Sequence, residues 1–262
     1  MRVVGVQHRI EWHDPDATMA RVQPQIGYAV AAGGDLVCLT EMFSTGFSMD
    51  TDTVVESVDG PSSAFLGREA AAASERSGRA IHLAASVPIL DPEVNPDLPV
   101  NRLMLYGPEG LVAKYDKLHP FSLSGEDKHY AAGTDPLTVS INGTRVSFLV
   151  CFDLRFAYSF WDLAFETDLF VVVANWPARR RLHWQTLLRA RAIENLAYVL
   201  GVNRVGDDGN GFGHAGDTML ISPAGETLAS AAEIETLVMG DVDPGQVTAV
   251  RERFGFLDDR TR

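Results

Sequence analysis

The sequence predicts an α/β fold, and three observations support this prediction. Short apolar runs of strand length alternate with amphipathic segments of helix length along most of the chain. The central runs VSFLV and LFVVVAN are continuously apolar, as in strands that are covered on both faces. Towards the C-terminus the runs are joined by short turns, which indicates antiparallel strands.

The predicted elements follow one another without a long linker. In order, they are the strand VVGVQ, a helix near 16–32, the strand LVCLT, a helix near 62–77, the strands AIHLAASV and VNRLMLY, VSFLVCF and LFVVVAN with a helix after each, and the strand AYVLGVN. GDTMLISPAGETLAS and IETLVMGDVD then predict antiparallel strands with a turn at SPAGE, and a last helix is expected after Pro244. The proline-rich stretch LDPEVNPDLPV is interpreted as a surface loop. We therefore expect residues 1–262 to form a single domain.

Composition and charge argue against several classes of partner. The 262 residues carry 22 Lys and Arg against 35 Asp and Glu, and the net charge of -13 disfavours binding to the phosphates of nucleic acid. The chain has no apolar run near the ~20 residues that cross a bilayer and no secretory signal, so we expect no membrane partner and a cytoplasmic location with reduced cysteines. The arginine-rich stretch 179–191 is interpreted as a solvated helix face or a subunit contact.

Motifs for cofactors and metals are missing or misplaced. GFGHAG fits the pattern G-x-G-x-x-G, but it leads into a predicted strand instead of a helix, which argues against a dinucleotide site. The seven histidines show no ligand spacing, and the sequence has no Walker loop, C-x-x-C or H-E-x-x-H motif. We therefore expect neither a cofactor nor a metal.

Cys151 ends a buried strand and precedes the stretch FDLRFAYSFWDLAF, which has helical character. A strand-to-helix turn places the sulfur near free N–H groups and the positive end of a helix dipole, which favour a thiolate. Because only about 3% of an ordinary thiol is ionised at pH 7, a nucleophile needs roughly 2 kcal/mol of such stabilisation or an adjacent base. On this stretch alone an inert core cysteine is an equally good interpretation, and for Cys38, which has no helix start after it, the inert interpretation is preferred.

Three charged residues lie at or after predicted strand exits. Glu41 follows the run LVCLT, Lys117 ends another strand, and Glu126 comes nine residues after Lys117. In α/β sheets the chemistry gathers at the exits of the strands. Taken singly, each of these charges is also compatible with an ordinary surface residue.

Together, these residues resemble a known family. Glu41 in TEMF, Lys117 in KYDKLHPF and Cys151 in CFDLRF, in this order and at these separations, are similar to the Glu-Lys-Cys triad of the nitrilase superfamily of carbon-nitrogen hydrolases. Gly125-Glu126 resembles the second glutamate of that family, and RARAIEN resembles its arginine-rich helix. TEMFSTGFSM, NWPARRRLHWQTLLRARAIEN and NRVGDDGNGFGHAGD are most similar to the omega-amidase branch. The resemblance covers nearly the whole chain and implies a four-layer α-β-β-α sandwich, usually dimerised through an α face, so a homodimer or higher homo-oligomer is expected.

Amide hydrolysis needs these residue types. The Cys151 thiolate attacks the carbonyl, while Glu41 takes the thiol proton, returns it to the departing ammonia and then activates a water. The Lys117 ammonium and the backbone N–H of Phe152 face the oxyanion. The resemblance implies that Glu126 holds Lys117 and orients the substrate amide.

The expected substrate is a small dicarboxylic acid monoamide of the 2-oxoglutaramate or 2-oxosuccinamate type. Because the protein is acidic overall, the free carboxylate must meet a local cation, and the candidates are Arg155 and the run Arg179–Arg181. Phe43 and Trp176 are the further predicted substrate contacts, beside Arg155 and Arg179.

Other interpretations of the same chain remain open. A nitrilase, an N-carbamoyl amidohydrolase or an N-acyltransferase uses the same triad, and a catalytically silent interaction module is a further alternative. Arg191 and Asn195 share a helix stripe with Trp184, Leu188 and Ala192, so we expect both to point inward as scaffold.

Overall fold

The computed structural model describes residues 1–260 and contains two seven-stranded sheets. The strands are β1 (Arg2–Gln7), β2 (Leu36–Cys38), β3 (Glu56–Ser57), β4 (His82–Leu90), β5 (Val100–Gly107), β6 (Gly110–Asp116), β7 (Leu137–Ile141), β8 (Thr144–Val150), β9 (Leu169–Ala174), β10 (Tyr198–Asn203), β11 (Val205–Asp207), β12 (Gly213–Ile221), β13 (Thr227–Ala232) and β14 (Thr236–Asp241). The helices are α1 (Pro15–Ala31), α2 (Thr51–Val54), α3 (Pro61–Ser77), α4 (Glu126–His129), α5 (Ala157–Trp161), α6 (Arg181–Asn195) and α7 (Pro244–Phe254).

Each sheet has parallel strands at its centre and antiparallel strands at its flanks. The first sheet runs β14-β1-β2-β4-β5-β6, with β3 beside β4, and the second runs β11-β12-β10-β9-β8-β7, with β13 beside β12. Strands β1, β2 and β4 are parallel, as are β8, β9 and β10. Because β5 is antiparallel to both β4 and β6, β6 runs in the same direction as β2, and their carboxyl ends lie at one edge of the sheet.

Alternating side chains of the buried strands build the layers. In β9, Leu169, Val171 and Val173 belong to a core that both sheets share, whereas Phe170 and Val172 pack on the other face with residues of α6. The first sheet shows the same alternation, and its outer face packs with residues of α1 and α3. The order is therefore helices, sheet, sheet, helices, and the predicted α/β class and four-layer α-β-β-α sandwich are confirmed.

Local signals set the helix boundaries. The carboxylate of Asp14 accepts a hydrogen bond from the Ala17 N–H before α1, Asp243 caps α7 in the same way, and a proline begins each of these helices. Gly78 ends α3 in the left-handed region, at φ 65°. Within residues 1–260 no helix combines the length and apolar character that crossing a membrane requires.

The segment after Cys151 differs from the prediction of one helix. It forms a 3-10 turn over Cys151–Arg155, then the short helix α5, then a second 3-10 turn over Ala164–Glu166. Phe156 breaks the helical path with φ -101° and ψ 97°, and its ring stacks on the His119 ring at a centroid distance of 3.8 Å. A contact with a distant segment has thus overridden the local helical propensity.

Candidate active site

The carboxyl ends of three strands bring together the residues that the sequence singled out. Glu41 follows β2, Lys117 follows β6, and Cys151 follows β8. Glu126 begins α4 and turns back onto Lys117. Glu41 and Glu126 are fully buried and Lys117 is 1% exposed, so these three charges are held away from solvent.

The Lys117 ammonium lies between the two carboxylates. Its Nζ donates to Glu41 Oε1 at 2.9 Å, and to Glu126 Oε1 at 3.0 Å and Oε2 at 2.8 Å. Burial alone would lower the pKa of Lys117, but the charges of Glu126 and Glu41 outweigh it and raise the pKa above its ordinary value. The side chain is therefore an ammonium at neutral pH and can stabilise an anion, but it cannot act as a base.

Two asparagines that sequence reasoning missed complete this cluster. Asn101 Nδ2 donates to Glu41 Oε1 at 2.9 Å and to Glu126 Oε1 at 3.2 Å. The Asn175 backbone N–H donates to Glu41 Oε2 at 2.9 Å, and its side-chain amide donates to the Glu41 carbonyl at 2.6 Å. Asn101 lies on β5 between Val100 and Arg102, and Asn175 comes directly after β9, so only the position of Asn175 after LFVVVA could have indicated a role. The asparagines fix both oxygens of Glu41.

The state of the Cys151 thiol differs from the expectation of a helix-stabilised thiolate. Burial raises the pKa of Cys151 well above its ordinary value, and the negative charge of the nearby Glu41 carboxylate adds to the increase. Lys117 acts in the opposite direction but does not outweigh them. The five-residue 3-10 turn is too short for a substantial dipole, so the resting nucleophile is a thiol with a carboxylate base nearby.

Cys151 occupies a strained backbone position at the start of its turn. Its φ is 45°, in the left-handed region that non-glycine residues rarely adopt. Phe152 follows in the first turn, where backbone N–H groups have no partner within the turn. Such a sharp strand exit exposes the sulfur to a pocket and places a free N–H beside it.

A cavity of about 160 Å³ opens in front of Cys151. Its inner part is lined by Lys117 and Asn175, and the aromatic rings of Phe47, Phe121, Phe152, Trp176 and Phe212 form much of the wall. The predicted substrate contact Trp176 therefore lines the pocket. The prediction for Phe43 is not supported, because its ring is fully buried in the core, against Phe65, on the far side of the first sheet.

Three guanidinium groups line the same cavity. Arg155 lies over the Trp176 ring at 4.9 Å, Arg179 over the Phe212 ring at 4.5 Å, and Arg180 over the Phe121 ring at 5.3 Å. Within residues 1–260 none of the three has a carboxylate within 4.0 Å, although Asp208 also lines the cavity. Burial lowers the pKa of Arg180, and the neighbouring charges of Arg179 and Arg155 lower it further. The pocket therefore holds an excess of positive charge in an acidic protein.

The other arginines of this stretch have structural partners. Arg181 pairs with Asp217 at 2.8 Å, and Arg189 donates to the Gly225 carbonyl. Arg191 is 4% exposed, donates to the Leu154 carbonyl at 2.8 Å and 3.2 Å, and so supports the turn that carries Cys151. The expectation of a solvated helix face is wrong for Arg191, whereas its inward, scaffolding position was predicted. Of the candidate run Arg179–Arg181, Arg179 and Arg180 line the cavity and Arg181 pairs with Asp217, a distinction that spacing within three consecutive arginines cannot give.

Comparison with known proteins identifies the family to which this chain is similar. Residues 2–252 match the family model for carbon-nitrogen hydrolases. The chain is 37% identical over 255 residues to the omega-amidase YafV of Escherichia coli K12, covering 97% of this chain and 94% of that one. It is 31% identical to a 2-oxoglutaramate amidase of Bacillus subtilis, over 86% of this chain and 84% of that one. A crystal structure of XC1258 from Xanthomonas campestris, a CN-hydrolase superfamily protein with an arsenic adduct in its active site, superposes with a TM-score of 0.91 at 36% identity, covering 100% of this chain and 97% of that one.

Proposed function

Because the chain belongs to the carbon-nitrogen hydrolase family and is an amidase of that family, we propose that it hydrolyses the terminal carboxamide of small dicarboxylic acid monoamides, of the 2-oxoglutaramate or 2-oxosuccinamate type, to acid and ammonia. The observation that carries this proposal is the charge pattern of the pocket. Cys151 and Lys117 line it, with Lys117 held between the buried carboxylates of Glu41 and Glu126, and so do three arginines that have no carboxylate within 4.0 Å among residues 1–260.

The two ends of the pocket set the orientation of the substrate. The carboxamide enters first, because its carbonyl must reach Cys151 and its nitrogen must reach the fully buried Glu41. The carboxylate at the other end of the chain then meets the guanidinium groups of Arg155, Arg179 or Arg180, which bind carboxylates in a bidentate geometry. The aromatic walls exclude water from the short carbon chain between the two ends.

The reaction begins from the neutral thiol. Glu41 accepts the Cys151 proton as the sulfur attacks the carbonyl carbon, and the negative charge moves to the carbonyl oxygen. The Lys117 ammonium and the Phe152 N–H stabilise this oxyanion, and a single donor of this kind typically contributes about 3 kcal/mol.

When the intermediate collapses, the C–N bond breaks, Glu41 protonates the leaving nitrogen, and ammonia departs from a Cys151 thioester. Glu41 then takes a proton from water, the hydroxide attacks the thioester, and the proton returns to the thiolate. The hydrogen bonds from Asn101 and Asn175 keep Glu41 Oε1 on the lysine side and hold Oε2 in a fixed orientation throughout these steps.

Matched acids and methyl esters of the same omega-monoamide test the substrate class. We expect kcat/KM for the free acid to exceed that for the ester by at least about 100-fold, or roughly 2.7 kcal/mol. Arg155→Gln, Arg179→Gln and Arg180→Gln are compared on both substrates, and the residue that binds the carboxylate lowers kcat/KM for the acid alone. Equal efficiency for acid and ester would contradict the proposed substrate while leaving a general amidase site. Ammonia release from nitriles and carbamoyl compounds, measured in the same way, separates the other activities of the family.

The proposal also includes a cytoplasmic homodimer formed through the outer helical layer. Its support is the exposure of large apolar side chains around α5 and α6, namely Tyr158, Trp161, Phe165, Leu182 and Ile193. The two cysteines are free and differ in burial, which fits a reducing compartment. Light scattering after gel filtration should give about twice the chain mass of 28.5 kDa, and Ile193→Glu should lower it to that of a single chain.

A further inference from the structure

Asp153 is a fully buried carboxylate that the reaction steps above do not use. Its Oδ2 accepts hydrogen bonds from the Val150 N–H at 2.9 Å and from the Tyr115 hydroxyl at 2.7 Å. Its Oδ1 accepts from the His119 N–H at 3.0 Å and from His119 Nδ1 at 2.8 Å. Because a carboxylate only accepts, Nδ1 of His119 carries the ring proton.

These four bonds connect two segments that are distant in sequence. Val150 and Asp153 bracket Cys151 and Phe152, which supply the nucleophile and the backbone donor. Tyr115 and His119 lie two residues before and two residues after Lys117, which supplies the charged donor. We propose that Asp153 is a positioning residue that locks the Cys151 turn against the Lys117 segment, so that both oxyanion donors are aligned for the amidase reaction proposed above.

Three observations favour positioning over a purely structural role. Cys151 is held at φ 45°, a conformation that persists only when surrounding contacts enforce it, and the Val150 contact is made at the residue before it. Burial raises the pKa of Tyr115 well above its ordinary value, so its hydroxyl stays a hydrogen-bond donor. Within residues 1–260 no lysine or arginine lies within 4.0 Å of Asp153. Its negative charge is therefore balanced by the four hydrogen bonds described above, and these bonds fix the positions of the groups that donate them.

The consequence for catalysis is geometric. The oxyanion donors come from both locked segments, Phe152 from one and Lys117 from the other, so a change in their separation misaligns them together. A displacement of about 1 Å in such a site typically costs about 100-fold in rate. Arg179 and Arg180 lie outside both locked segments, so ground-state binding of the substrate carboxylate to them is unaffected.

Asp153→Asn is the primary test, because it keeps the size of the side chain. It replaces one carboxylate oxygen, which accepts hydrogen bonds, with an NH2 group that then faces an N–H donor. We expect kcat to fall by about 100-fold with KM within threefold of the wild type. Tyr115→Phe, which removes one of the four donors and keeps the ring, is expected to lower kcat by about tenfold, and it provides the test if Asp153→Asn does not fold. Tyr158→Phe is the matched control, since it removes the bond of 2.6 Å between the exposed Tyr158 hydroxyl and His119 Nε2 and leaves all four Asp153 contacts.

Alkylation by iodoacetamide separates positioning from loss of structure. The thiol attacks a saturated carbon in that reaction and no oxyanion forms, so Cys151 in both variants should react within about fivefold of the wild-type rate. The hydrolysis rates are measured on whichever amide the wild type hydrolyses best, so a failure of the carboxylate preference leaves this test intact. Unchanged kcat in both Asp153→Asn and Tyr115→Phe, or parallel losses of hydrolysis and alkylation, would overturn the proposal.

Discussion

Replacement of Glu126 by glutamine is expected to lower kcat by about 100-fold or more in a protein that still folds. Both Glu126 oxygens accept from Lys117, and the same carboxylate also accepts from the Phe121 N–H and from Asn101. A glutamine offers one acceptor oxygen, and its NH2 group must face a donor. At least one buried donor then loses its acceptor, at a cost of about 1–3 kcal/mol.

The rate effect follows from the position of the ammonium. With Glu126 neutral, Lys117 keeps Glu41 as its one carboxylate partner and is no longer held between two charges. Loss of a well-placed oxyanion donor costs about 2.7–4 kcal/mol, which corresponds to 100- to 1,000-fold in kcat, and we expect the lower end because the lysine itself remains.

The assay is steady-state ammonia release together with thermal unfolding. Asp127→Asn is the control, because it removes an exposed carboxylate from the next position of the same helix, and it should leave kcat within twofold. If Glu126→Gln keeps kcat within twofold of the wild type at unchanged thermal stability, Glu126 does not hold the catalytic lysine and the reasoning is refuted.

Two further outcomes are expected. Cys151→Ala should abolish hydrolysis while Cys38→Ser leaves it within a few-fold, and at pH 7 iodoacetamide should modify Cys151 before Cys38, because Cys151 lines the cavity whereas Cys38 is fully buried in the core; an essential Cys38 would contradict the assignment. His8 is fully buried and burial lowers its pKa from 6.5 to about 4, so the unfolded chain takes up the proton first and stability falls as the pH drops through this interval. His8→Gln should remove about 2 kcal/mol of the stability loss between pH 7 and pH 5, measured by urea unfolding, whereas the exposed His129→Gln should not; equal pH dependence in all three proteins would disprove the effect.

The layers of the fold were accessible from the sequence only in part. Continuous apolar runs such as that of β9 predicted strands with both faces covered, and both faces are indeed buried. The pairing of two such sheets came from the family resemblance, because periodicity describes one strand at a time and does not show which sheet it joins. The break at Phe156 could not be foreseen, since its stacking partner His119 lies 37 positions earlier in the chain.

The candidate site was likewise predictable from the sequence only in part. Glu41 and Cys151 follow apolar runs and Lys117 ends a predicted strand, so their meeting at one edge follows from strand direction once the sheets are known. The Cys151 thiol was expected to be partly ionised by its turn, but burial beside Glu41 dominates, and burial is set by the whole fold. Phe43 was a predicted substrate contact and lies two residues after Glu41, but its ring is buried in the core instead, and the fold sets that direction.

The most direct test of the account is to trap the thioester on Cys151. The enzyme is mixed with a saturating omega-monoamide, quenched in acid within the first turnover, digested, and analysed by peptide mass spectrometry. The account predicts that the peptide containing Cys151 gains the mass of the substrate less ammonia, that the peptide containing Cys38 gains nothing, and that Cys151→Ala shows no adduct and no turnover. Turnover by Cys151→Ala, or an acyl adduct on any other residue, would contradict it.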